Sequence, residues 1–161
     1  MINMKVAIKA LVAGAVGAIF LIVANGLNYL IQDLVLRVGG FGYGMSSTLS
    51  AWGDFLMYPL SVIIGFAVGA LVIWLIRTEL KSFKTMVLVP AIAGVTLGGL
   101  CLVARIGYEL VIRPVLTGYT VNPTNALITV LVSCTDVLMM TGLVVAGAAI
   151  CAAFVTKTEI K

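Results

Sequence analysis

Asp54-Phe-Leu-Met-Tyr-Pro-Leu-Ser-Val-Ile-Ile-Gly-Phe-Ala-Val-Gly-Ala-Leu-Val-Ile-Trp-Leu-Ile76 carries a charge at its first residue and none afterwards. A bilayer span takes about 20 apolar residues, and this run is long enough. An acid at the edge of such a run is costly unless it is hydrated or paired, about 2.5–3.5 kcal/mol at a span centre by insertion scales. The same arrangement returns further along the chain. Asp136-Val-Leu-Met leads to Val144, Gly147 and Ala149, matching Asp54, Leu56, Met57, Val62, Gly65 and Ala67 at a constant offset.

Composition sets the class. Of 161 residues, 62% are hydrophobic and only 10% charged, and the mean hydropathy is +1.21. A soluble domain needs more charge than this to cover its surface. Four apolar runs, roughly 8–34, 51–76, 85–112 and 125–155, use up nearly the whole chain. The expected fold is therefore all-α: an integral membrane four-helix bundle in the lipid bilayer, one transmembrane domain over 1–161. The first run follows Lys5 and Lys9 as a signal peptide would, but is read as a span.

Sidedness follows from the basic residues. Lys5, Lys9, Arg77, Lys81, Lys84, Lys157 and Lys161 lie at the termini or in the middle connection, against Arg37 and Arg113 in the other two. Both termini are expected in the cytoplasm, and the membrane to be the plasma membrane. The net charge of +4 follows from this rim beside anionic headgroups, so no nucleic-acid partner is expected.

The repeated aspartates suggest two tandem hairpins, 1–80 and 81–161. Ala13-Gly14 matches Ala93-Gly94, and Val23-Ala24 matches Val103-Ala104. Copies of like topology would relate by an axis along the membrane normal. The plan of two glycine-bearing hairpins, each with an acid in its second helix, is similar to that of duplicated proteolipid ring subunits of rotary ATPases. That resemblance would imply an ion-carrying acid near mid-membrane. Asp54 instead lies at the outer edge, and no long glycine/alanine run extends beyond Ala10–Ala18, so membership is not assigned.

Small residues recur at helical spacing in every span: Gly14 and Ala18, Gly65 and Gly69, Gly94 and Gly98, Gly142 and Ala146. Such pairs let helix backbones approach closely, in one chain or between chains. The connection 37–50 is glycine-rich and reads as a loop with interfacial aromatics. The last span has a start signal, with Asn122 or Thr124 as cap and Pro123 in the first turn.

Polar residues cluster by face and by depth. Asn25, Asn28 and Gln32 share one face of the first span; Ser50, Asp54 and Ser61 share one of the second. Arg105, Glu109 and Arg113 follow in the third, and Thr129, Ser133 and Asp136 in the fourth. All lie in the outer halves of their spans. Arg105 is expected to pair with Asp136 or Asp54, with Glu109 competing at i+4. The cluster is a structural clasp, the lining of a water-filled vestibule, or a contact with a partner subunit.

Chemistry is not expected. Histidine is absent, and Cys101, Cys134 and Cys151 are scattered within spans, so no metal, haem or other cofactor is anticipated. No nucleophile or cofactor motif accompanies the acids. The expected role is a non-enzymatic structural or accessory subunit, with other membrane subunits or copies of itself as partners. The alternative is a small channel or transporter for an ion or small solute that uses the polar cluster.

Overall fold

The computed structural model describes residues 3–39, 43–79, 83–117, 120 and 122–158. Among them the chain is helical almost throughout. Helix α1 runs Met4–Gly39, α2 Tyr43–Ile76 and α3 Phe83–Gly107. A five-residue π-turn, Tyr108–Ile112, joins α3 to the short α4, Arg113–Thr117, and α5 runs Pro123–Thr158. Four stretches are long and apolar enough to cross a membrane: Met4–Gln32, Phe55–Ile76, Thr85–Val115 and Ala126–Val155.

Each of the four expected apolar runs falls on a long helix, and α1, α2 and α5 extend beyond the run at both ends or at its start. With 36 residues, α1 is about 54 Å long, well beyond a hydrocarbon core of about 30 Å. The connection 37–50 is corrected most: α1 continues to Gly39 and α2 begins at Tyr43. Gly39 is the last residue of α1, and Gly44 lies in the first turn of α2. At α5 the cap is Asn122, whose side-chain oxygen accepts the Thr124 N–H at 3.0 Å, with Pro123 as first helical residue. Pro suits that position because its missing N–H would have no intrahelical partner.

The helices pack so that α1 touches α2 and α3, and α5 touches α2 and α3. Around the bundle the order is α1, α2, α5, α3, with α1 and α5 at opposite corners. Like therefore lies beside like: first span against third, second against fourth. Ala70 and Cys151, which meet through a Cys151 Sγ contact to the Ala70 carbonyl, are 81 residues apart. A similar offset separates Gly14 from Ala93, Phe66 from Gly147 and Tyr29 from Tyr108. The second hairpin thus lies alongside the first, with like helices as neighbours.

Two halves differ in packing. The terminal end, near Met4, Ile76 and Phe83, is filled by fully buried small and branched side chains: Ala10, Ile73, Ile76, Val89, Ala93, Val144 and Ala148. Glycines set the spacing there. A Cβ on Gly14 would collide with the Ala93 carbonyl, and one on Gly69 would meet the Val144 carbonyl and stand 2.6 Å from the Ala148 nitrogen. Gly65 abuts Leu143, while Gly94 and Gly98 abut Thr141 and Val137. Ala18 is fully buried. The pair in the last span is placed differently from the other three. Gly142 and Ala146 face outward, and nothing lies within 4 Å of a Cβ on Gly142. The close contact falls to Gly147, whose added Cβ would stand 2.6 Å from the Phe66 carbonyl. Also at this end, Lys9 Nζ donates to the Leu75 carbonyl at 3.1 Å, serving one of the acceptors that a helix C-terminus leaves over.

Candidate functional site: a polar cavity in the distal half

Toward the distal end, where α1 turns into α2 and α4 into α5, the helices separate around a cavity of about 690 Å³. All four spans line it. Asn25, Gly26 and Tyr29 come from α1, and Met57, Tyr58 and Ser61 from α2. The third span supplies Gly98, Cys101, Arg105 and Tyr108, and α5 supplies Ser133, Asp136, Met139 and Met140. The π-turn that begins at Tyr108 borders the space, contributing Tyr108, Val111 and Ile112. In that turn the Arg113 N–H reaches the Tyr108 carbonyl, five residues back. Such wide turns frequently occur at functional sites.

Arg105 Nη1 donates to Asp136 Oδ2 at 2.6 Å, joining the third and fourth spans. Their backbones are not level. Helical side chains lean toward the N-terminus of their own helix, so in antiparallel neighbours Arg105 leans toward the terminal end and Asp136 toward the distal end, and they meet between. The side chains keep 41% and 40% exposure, so both charges also face the cavity. Glu109 does not compete for Arg105. It accepts from Arg113 Nη1 at 2.7 Å, one turn on.

The remaining predicted residues divide between lining and clasp. Asn25 lines the cavity while its Nδ2 donates to the Leu21 carbonyl at 2.9 Å. Ser133, almost fully buried, donates to the Thr129 carbonyl at 2.8 Å. Asn28 and Gln32 instead meet α2: an added Cβ on Gly53 would collide with the Gln32 amide and stand 2.8 Å from Asn28 Nδ2. Gly53 thus lets two amides approach the neighbouring helix. The Asp54 side chain lies outside the described residues, and so does any pairing by it.

The tyrosines were not anticipated as lining. Tyr29 and Tyr108 stack with ring centroids 4.8 Å apart and planes within 14°, closing the wall between α1 and α3. Their separation is close to the offset of the hairpin repeat, a signal the sequence did contain. Met57, Met139 and Met140 gave no comparable signal. Among the described residues no three His, Cys, Asp or Glu side chains converge as metal ligands would. No family model, curated protein or solved structure matches this chain.

Proposed function

We propose that this chain is a non-enzymatic multi-pass protein of the plasma membrane that binds a small solute in the distal cavity, as a carrier does. The observation that supports this reading is the cavity, with a charge pair, two serines, three tyrosines and an amide set among apolar side chains. A pocket of about 300–1,000 Å³ with a few convergent polar groups is the common form of a small-molecule site. Basic residues at the terminal end support a cytoplasmic location for both termini, which opens the cavity outward. Packing closes the terminal half, so passage to the other side would require the helices to rearrange. In reconstituted vesicles, uptake or saturable binding is expected within a panel of ions and small zwitterions, and Asp136→Asn should abolish it while the fold survives. A wild-type protein that neither moves nor binds any member would overturn the proposal.

A second reading, as an accessory subunit beside other subunits or copies of itself, is favoured by the outward face of Gly142 and Ala146. Small residues at this spacing form a groove for a neighbouring helix, and among the described residues nothing lies within 4 Å of a Cβ on Gly142. Gentle extraction should then recover an assembly, and Ala146→Trp should disperse it. Migration of the wild type as a lone monomer under every mild condition would exclude this reading.

A further inference from the structure

We propose that the cavity takes a zwitterionic amphiphile, which slips in sideways from the bilayer through the gap between α2 and α5. This rests on the solute-binding reading and names the class of molecule. Three observations point the same way, beginning with the shape of the space. Contacts between α2 and α5 at Gly65, Gly69 and Gly147 all lie on the terminal side of the cavity. Beyond them Tyr58 and Met139 line the cavity yet are 64% and 39% exposed, which puts a mouth on this flank. Both residues belong to the apolar spans Phe55–Ile76 and Ala126–Val155, so the mouth opens onto lipid tails.

Charge supplies the second argument. Arg105 and Asp136 both line the cavity and cancel each other. One guanidinium nitrogen bonds one carboxylate oxygen, and a guanidinium has five N–H donors while a carboxylate has two acceptor oxygens. A lone anion would meet Asp136 repulsively, and a lone cation would meet Arg105 so. A group bearing both signs can satisfy both residues with charge-assisted hydrogen bonds.

The lining supplies the third. Met57, Met139 and Met140 supply an adaptable apolar part of the lining, suited to a hydrocarbon chain of no fixed shape. The headgroup would sit at the ion pair, with the chain running past the methionines into the bilayer.

The test uses the full chain in a neutral maltoside micelle and probes of matched alkyl length bearing phosphocholine, sulfate or trimethylammonium heads. Chain-free glycerophosphocholine is the fourth probe. Native mass spectrometry should show the phosphocholine amphiphile bound at least about tenfold more tightly than the singly charged ones, about 1.4 kcal/mol. Gly26 lines the cavity and has open space around an added Cβ. Gly26→Phe should therefore abolish binding at an unchanged melting temperature, and the Arg105→Gln/Asp136→Asn double variant should erase the headgroup preference. Equal binding of chain-free glycerophosphocholine would overturn the lateral amphiphile and leave a solute site standing. Equal affinity for all three amphiphiles, or undiminished binding by Gly26→Phe, would overturn the assignment to this cavity. Binding of no probe, in a protein that also fails the vesicle panel, would remove both readings.

Discussion

Gly69→Leu is expected to destabilise the bundle by about 3 kcal/mol or more, the upper end of what overpacking a well-filled interior costs. The first added carbon would strike the Val144 carbonyl and the Ala148 nitrogen. These are backbone atoms of α5, which cannot turn aside as a side chain can. Relief requires α2 and α5 to move apart, which would open the contacts of Gly65 and Gly147 as well. The paired control is Gly142→Leu. It places the same side chain on an outward face, where removing a mid-helix glycine should leave stability unchanged or raise it by up to about 1 kcal/mol. Unfolding midpoints of both variants in one detergent check the pair. Equal midpoints would show that the α2–α5 contact does not set the stability of the fold.

The second large effect concerns the charge pair. Arg105→Ala leaves Asp136 without its counter-charge inside a span, and breaking a fully buried pair costs roughly 3–5 kcal/mol. Here each partner keeps about two-fifths of its exposure, so hydration from the cavity offsets part of the loss and about 2 kcal/mol is expected. Asp136→Asn should cost a similar amount. The Arg105→Ala/Asp136→Asn double variant should lose little more than either single change, because the stranded charge is then gone. A double-mutant cycle by chemical unfolding measures this, with an expected coupling of about 0.5–3 kcal/mol for residues in direct contact. Additive losses would mean that the 2.6 Å contact contributes nothing to the fold.

Four helices were legible because each span needs its own apolar run and the runs are separated by charge, proline or glycine. Depth narrowed the partner of Arg105 to Asp136 or Asp54, as opposite charges in antiparallel helices have few places to meet, and the contact found is the one with Asp136. The face of a helix was not legible. Gly142 and Ala146 satisfy the same spacing rule as Gly65 and Gly69, yet their helix turns them outward. In a span, lipid-facing and protein-facing residues are both apolar, so no polar stripe marks which side is buried. The cavity was hidden for a related reason. It depends on the order α1, α2, α5, α3, and sidedness rules constrain which end of a helix is inside rather than which helix is its neighbour. The extended helices around 37–50 were missed because glycine weakens a helix by only about 1 kcal/mol per residue relative to alanine, a preference that tertiary packing overrides.

The π-turn at Tyr108–Ile112 has a bearing on how this chain tolerates changes in its length. One residue added to an α-helix rotates everything beyond it by about 100° and would carry each following side chain off its face. A turn closed by an i→i+5 bond takes up that residue locally, and the helix beyond it resumes its orientation. The third span is therefore the place where one residue can be gained or lost with the least disturbance to the rest. The two hairpins could drift apart in residue number there while Tyr29 still faces Tyr108.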